Sequence, residues 1–128
     1  MRNIRIGLTG TLLVVAQQAL ADSHFVAVAW SGDGTFAHSA SVEPGKFVES
    51  CSQLAPGDAI RWKFAASLPV DFNIHYHVGK EAEFPAKEAQ VSSGQDTFRV
   101  MVREDYCWMW SNKSSSRTRI DVRLQRKN

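Results

Sequence analysis

The chain has 128 residues, of which 15 are Lys or Arg, 13 are Asp or Glu and 44% are hydrophobic. This length suits one small domain and not two. The near balance of charge removes a global case for nucleic-acid binding. Every apolar segment after residue 21 is interrupted by charge within a few residues, so no membrane span is predicted.

The first 21 residues have the pattern of a secretory signal peptide. Arg2 and Arg5 give a positive start, residues 6–16 are mostly apolar, and Ala19-Leu20-Ala21 forms a cleavage site of small residues. Cleavage after Ala21 leaves residues 22–128 as a single domain. We therefore expect a periplasmic or secreted protein.

The mature N-terminus predicted by this cleavage carries a second feature. Asp22, Ser23 and His24 would follow a free amine. An amine, two amides and an imidazole can surround Cu(II) or Ni(II) in a square plane. His24 is therefore a weaker candidate metal ligand, and its role depends on cleavage after Ala21.

The mature chain reads as consecutive short strands separated by turns. Phe25–Trp30 is apolar throughout, as a strand covered on both faces would be, whereas later segments alternate apolar and polar residues. Residues 81–90 contain Pro85 and several charges, which predicts a loop or at most one helical turn. The predicted strands are Phe25–Trp30, Lys46–Ser50, Ala59–Ala65, Val70–Val78, Thr97–Val102, Tyr106–Ser111 and Arg119–Leu124. No segment has sustained helical periodicity, so we predict an all-β antiparallel sandwich of about seven to eight strands.

Cys51 and Cys107 are the only two cysteines, and both lie in the exported part. An even count in an oxidising compartment predicts a disulfide. The absence of a Cys-x-x-Cys pair argues against a thiol-redox enzyme.

The segment Val70–Val78 contains a His-x-His pair. Alternation along a strand places Phe72, Ile74 and Tyr76 on one face, and His75 and His77 together on the other. Two imidazoles on one face can begin a metal site, and they can equally be solvent-facing residues beside Arg61 and Lys63 of a neighbouring strand.

A firm metal site would need a further ligand beside His75 and His77. The sequence offers His24, His38, an outward carboxylate, or the thioethers of Met101 and Met109, which alternation places on the polar side of a Phe98–Ser111 hairpin. Sulfur with imidazole would suit copper. Trp108 and Trp110 are expected on the opposite, inward face.

The residues Tyr106-Cys107-Trp108-Met109-Trp110-Ser111-Asn112, followed by a polar turn and the alternating strand through Leu124, carry a family resemblance. This block resembles the closing hairpin of GOLD domains, the β-sandwich domains of Golgi cargo receptors. Glu49-Ser50-Cys51 resembles the first cysteine region of that family, and the similarity spans residues 46–124. The second cysteine of the family falls at Met109, whereas this chain has Cys107 two residues earlier. The resemblance implies a single-domain exported sandwich that binds a partner, without the coiled coil, membrane helix or sorting tail of the cargo receptors.

No catalytic motif is present. The sequence lacks a Gly-x-Ser-x-Gly elbow, a phosphate-binding glycine loop and a His-Glu-x-x-His motif, so no enzyme is predicted. Residues 113–128 hold six basic residues and one acid, which we interpret as a solvated face. The sequence predicts a non-enzymatic binding or adaptor module for a protein or envelope partner, with no required cofactor. The alternative is a periplasmic copper carrier or sensor that uses His75 and His77.

Overall fold

The computed structural model describes residues 25–127, which form seven strands. They are β1 (Phe25–Ala27), β2 (Thr35–Val42), β3 (Phe47–Leu54), β4 (Ala59–Val78), β5 (Glu81–Arg99), β6 (Glu104–Ser111) and β7 (Thr118–Lys127). The all-β fold predicted from alternation is confirmed. Within this range no helix has the length and apolarity that a membrane crossing requires.

The long strands β4 and β5 form one antiparallel ribbon that belongs to both halves of the fold. A turn at Gly79, where φ is 61°, joins them. The first half of β4 pairs with β7 over residues 59–66, and its second half pairs with β6 over residues 71–75. The register with β5 shifts between Ala65 and Val70 and again toward Phe72. Such irregularities bend a strand, and here they let one ribbon pass from one layer to the other.

The two layers share this ribbon and enclose the core. The first layer contains β2, β7 and the start of β4, and the second contains β1, β3, β6 and the end of β4. Neighbouring strands are antiparallel except β1, which runs parallel to β3. The sheet therefore curls into a sandwich instead of forming two separate sheets.

Alternation predicts the core well. Ile60, Trp62 and Phe64 are buried in the first layer, and Trp108 and Trp110 are 0% and 1% exposed in the second. Rings from the two layers pack against each other. Their centroids are 4.7–5.8 Å apart in the pairs Trp62–Phe72, Phe64–Phe72 and Phe64–Trp110. Each such buried side chain stabilises the fold by roughly 1.5–3 kcal/mol, so the aromatic residues are accounted for by packing.

The predicted disulfide is confirmed. Cys51 on β3 lies directly opposite Cys107 on β6, with 4.1 Å between their Cα atoms. The bond therefore links two neighbouring strands of the second layer, on the face that points away from the core.

The prediction of a loop over residues 81–90 is wrong, because this stretch forms the first half of β5. Its backbone forms hydrogen bonds with β4, although its own sequence has no strand pattern. β5 pairs only with β4 in the described part of the chain. Proline and charged side chains are tolerated on such an edge strand, and Pro85 and Lys87 occupy it.

Three further expectations need correction. The segment Phe25–Trp30 is not a covered strand, because β1 ends at Ala27 and Phe25 is 54% exposed. Val102 does not point inward, because β5 ends at Arg99 and Val102 is 49% exposed. Residues 98–111 do not form a hairpin, because β5 and β6 pair with β4 and not with each other.

Candidate functional site

His75 and His77 lie on the outward face of the second layer, in surroundings different from those predicted. Arg61 and Lys63 belong to the first half of the same strand and pair in the other layer. His75 is instead opposite Cys107 on β6, whose other neighbour is Cys51 on β3. The ring centroids of His75 and His77 are 5.1 Å apart. The pair therefore does come together, beside the disulfide.

The next row of this outward face adds three polar or soft side chains. Met109 on β6 lies opposite both Glu49 on β3 and Asn73 on β4. We call the set of Glu49, Asn73, His75, His77 and Met109 the histidine face. Alternation places Met109 on the polar side of β6, opposite to Trp108 and Trp110, and the register agrees.

His75 is held by hydrogen bonding and burial, not left in solvent. Only 6% of its surface is exposed, and its Nδ1 is 2.8 Å from the Asn73 side-chain oxygen. Because an amide oxygen only accepts, Nδ1 carries a hydrogen, and in the neutral imidazole Nε2 then has the lone pair. The Nε2 atom lies 3.6 Å from a Glu49 carboxylate oxygen.

The charges on this face follow from burial. Burial lowers the pKa of His75, and the nearby His77 lowers it further. Burial also raises the pKa of Glu49, against an opposing effect of His77. The lowered pKa of His75 and the raised pKa of Glu49 both disfavour an ion pair between these two side chains.

The remaining candidate ligands are not gathered here. Met101 lies in the connection between β5 and β6 and is 81% exposed, and His38 lies on β2 in the first layer. His24 and the predicted cleavage site lie outside the described residues. Among residues 25–127, three metal-ligating atoms lie within 4.8 Å of one another only at Glu49, Cys51 and Cys107. Both sulfurs there are already bonded in the disulfide. Metal binding by His75 and His77 stays a prediction.

A second surface, which the sequence did not indicate, lies between β5 and β6. We call residues 99–103 the Arg99–Arg103 loop. At its centre, Met101 is 81% exposed and Val102 is 49% exposed. Among the large apolar side chains of residues 53–103, these are the largest and the third-largest exposed fractions. Arg99 and Arg103 flank them and are exposed. Neither arginine has a carboxylate within 4.0 Å in the described part of the chain.

This loop is anchored from beneath. Val100 is 3% exposed, and its backbone N–H donates to the Asp58 carbonyl oxygen over 3.0 Å. The Tyr106 hydroxyl donates to the Val102 carbonyl oxygen over 2.6 Å. The apolar tip is therefore presented in a defined conformation. Its sequence, Arg-Val-Met-Val-Arg, alternates like a strand and was predicted as one, so the surface was missed.

Asp58 supports the same end of the sandwich. Its carboxylate accepts from the Ala55 N–H over 2.9 Å and from Arg126 over 2.8 Å. Burial by itself would raise the pKa of Asp58, but these hydrogen bonds, with the positive charges of Arg126 and Arg103, lower it below its ordinary value. The carboxylate is therefore a charged anchor beneath the loop.

Solved structures with this fold include two periplasmic inhibitors. The g-type lysozyme inhibitor PliG from Aeromonas hydrophila matches with a TM-score of 0.66 and 12% sequence identity, over 80% of this chain and 96% of the inhibitor. PliG from Salmonella Typhimurium matches with a TM-score of 0.57 and 11% identity, over 80% and 98% of the two chains. The pre-peptidase C-terminal domain of a Bacillus anthracis collagenase matches with a TM-score of 0.54 and 10% identity, over 82% and 94%. At such identities the likeness shows a common fold. No protein-family model matches the sequence, and no curated protein matches it either.

The resemblance to GOLD domains is wrong, because the structural neighbours are these inhibitors and a pre-peptidase domain. The residues that carried it have structural roles. Trp108 and Trp110 fill the core. Asn112 donates to the carbonyl oxygens of Val42 and Ser116 and accepts from the Ser114 N–H, which closes the turn after β6. Such a hairpin can serve any sandwich, so the motif did not identify the family.

Proposed function

We propose that this chain is an exported, non-enzymatic binding protein whose partner is a cell-wall-degrading glycoside hydrolase of the lysozyme type. The observation that carries the proposal is the Arg99–Arg103 loop. Methionine and arginine are enriched in protein interfaces, and a loop ordered before binding loses less entropy when it docks. The shared fold with two periplasmic inhibitors of g-type lysozyme supports the choice of partner.

The chemistry of the partner also suits this loop. Glycoside hydrolases of this kind cleave with a pair of carboxylic acids that flank the scissile bond. A cleft lined by carboxylates attracts a cationic segment. Arg99 and Arg103 supply the positive charge, and Met101 supplies an exposed apolar tip between them. The chain would thus occupy the substrate cleft and block it.

The test is inhibition of a g-type lysozyme by the exported protein, measured as the rate of clearing of a cell-wall suspension. We expect inhibition that falls at least about tenfold in Met101→Asp, because the new carboxylate would face the carboxylates of the cleft. Phe25→Asp is the matched control, since Phe25 is 54% exposed on β1, where it lies opposite Glu49 on β3 and outside the loop. Absence of inhibition, or equal losses in the two variants, would overturn the proposal.

A second candidate function is metal binding on the histidine face. The supporting observation is that Asn73 holds the His75 Nδ1 hydrogen, which leaves the Nε2 lone pair directed toward Glu49. Metal-binding histidines characteristically donate their other ring N–H to an oxygen in this way. Rotation of the exposed His77 and of Glu49 could complete a site with two imidazoles and a carboxylate.

Calorimetric titration with Cu(II) and with Zn(II) tests this second function. A His24→Ala background removes the N-terminal histidine as a competing ligand. We expect His77→Ala to weaken binding and His38→Ala, in the other layer, to leave it unchanged. Affinity weaker than about 10 μM that does not respond to His77→Ala would exclude the site.

A further inference from the structure

The outward face of the first layer carries an accumulation of cations that neither the fold nor the proposed function uses. Lys63 on β4 lies directly opposite Arg123 on β7. Like charges in directly opposite positions of an antiparallel pair destabilise it. Arg61 precedes Lys63 on the same face, two residues away. In the described part of the chain, no carboxylate lies within 4.0 Å of any of these three cations.

The three cations line an open groove of about 390 Å³. Across the strands, Gln125 lies opposite Arg61, and on β5 Thr97 and Gln95 lie opposite Arg61 and Lys63. These amide and hydroxyl groups also line the groove, together with one carboxylate, Asp96. The cations therefore lie beside neutral groups that can both donate and accept hydrogen bonds.

The groove continues past the Lys63–Arg123 pair. A neighbouring depression of about 510 Å³ is lined by the same two residues and by Ser39 on β2. One acidic side chain, Asp121, lines this second part, and it already accepts a hydrogen bond from Ser39 and pairs with Arg119 over 3.4 Å. The two depressions form a track across four strands, β5, β4, β7 and β2, which suits an extended ligand better than a compact one.

We infer that this track, which we call the basic groove, binds a linear anionic polysaccharide. Arginine and lysine would pair with its carboxylate or sulfate groups, and Gln95, Thr97 and Gln125 would bind sugar hydroxyls. An anion that lies between Lys63 and Arg123 offsets the repulsion between these two cations.

Other anionic partners fit this groove less well. Single-stranded nucleic acid is held by bases stacked on exposed aromatic rings, whereas Trp62, the tryptophan that lines the basic groove, is only 7% exposed. A flat anionic membrane would contact the charged ends of the arginine and lysine side chains, and it would not reach the amides and hydroxyls of the groove. The polysaccharide is the partner that uses both kinds of group.

The experiment uses polygalacturonate, a polymer that carries a carboxylate and free hydroxyls on each sugar, and the full exported protein. The variant Arg61→Gln, Lys63→Gln, Arg123→Gln removes three charges from the basic groove. The control Lys46→Gln, Lys80→Gln, Lys87→Gln removes three charges from exposed positions outside it. Affinity is measured over a range of salt concentrations, and circular dichroism confirms that both variants fold.

We expect the groove variant to lose roughly tenfold or more in affinity for polygalacturonate and to show a shallower dependence on salt, because fewer counterions are released. The control should keep most of the affinity. Three outcomes overturn the inference: no binding of polygalacturonate, equal losses in both variants, or binding of phosphatidylglycerol vesicles in preference to the polymer. Inhibition of lysozyme is a separate readout, since the Met101→Asp variant should bind polygalacturonate as the unmodified protein does.

Discussion

The Tyr106 hydroxyl donates a hydrogen bond of 2.6 Å to the carbonyl oxygen of Val102. Burial raises the pKa of Tyr106, and the neighbouring Tyr76 and Glu104 raise it further, so the hydroxyl keeps its hydrogen across the physiological range. A buried side chain of β6 thereby holds the exposed tip of the Arg99–Arg103 loop. Core packing and the proposed binding surface are coupled through this one contact.

Tyr106→Phe should therefore affect binding more than stability. The variant keeps the ring packed against Tyr76 and Phe98 and loses one hydrogen bond, worth about 1 kcal/mol. We expect faster amide hydrogen exchange at residues 101–103 and weaker inhibition of g-type lysozyme. Tyr76→Phe is the control, because the loop receives no hydrogen bond from Tyr76. Unchanged exchange at residues 101–103 in Tyr106→Phe would show that the contact does not order the loop.

Removing the disulfide should destabilise the protein without changing its strand topology. The bond closes a segment of 56 residues, for which the chain-entropy model gives about 4 kcal/mol. Since Cys51 and Cys107 are already neighbours in the ladder of β3 and β6, the double variant Cys51→Ala, Cys107→Ala should retain its strand content. We expect urea unfolding at a lower midpoint by an amount that corresponds to about 2–4 kcal/mol. A midpoint equal to that of the unmodified protein would show that the bond adds no stability.

The Asp58 carboxylate should make stability depend on acid pH. Its pKa is lower in the folded state than in the unfolded chain. The resulting stabilisation is therefore complete above the unfolded value near 4 and is lost as the pH falls through the folded value. Asp58→Asn should lower the unfolding free energy by about 1–2 kcal/mol at neutral pH.

The difference between Asp58→Asn and the unmodified protein should shrink as the pH falls below about 4. Chemical denaturation at a series of pH values measures this difference. Asp105→Asn, at an exposed position on β6, provides the comparison and should cost little at any pH. A difference that grows toward low pH would contradict the assignment of Asp58 as a charged anchor.

Local alternation predicts most of the fold because each strand of a sandwich buries one face. Ile60, Trp62 and Phe64 are buried as their spacing indicates. The first half of β5 escapes prediction because its outer edge is unpaired and both its faces are largely solvent-exposed, so it has no apolar period. Its partner β4, and not its own composition, determines that it is a strand.

The surroundings of the candidate sites depend on contacts that are distant in sequence. The register of β3, β6 and β4 places Glu49, Met109 and Asn73 in one row, and spacing within Val70–Val78 contains no information about the first two. Likewise Lys63 and Arg123 are 60 residues apart, and only the pairing of β4 with β7 brings their charges together. The sequence therefore predicts which residues face outward and not which of them meet.

Gly94 provides a test of how closely β5 packs on the aromatic core. A Cβ atom at this position would lie 2.9 Å from Cε1 of Phe64 and 3.1 Å from Cζ3 of Trp62. Both rings are buried and stack on each other with centroids 6.2 Å apart, so neither can move aside freely. Gly94→Ala should therefore destabilise the protein by about 1–3 kcal/mol, the usual cost of overpacking.

Gly32→Ala is the matched control, since no atom lies within 4 Å of its added Cβ, and its effect should stay within about 0.5 kcal/mol. Thermal unfolding of the two variants measures the difference, and equal melting temperatures would mean that β5 can lift away from the core at no cost.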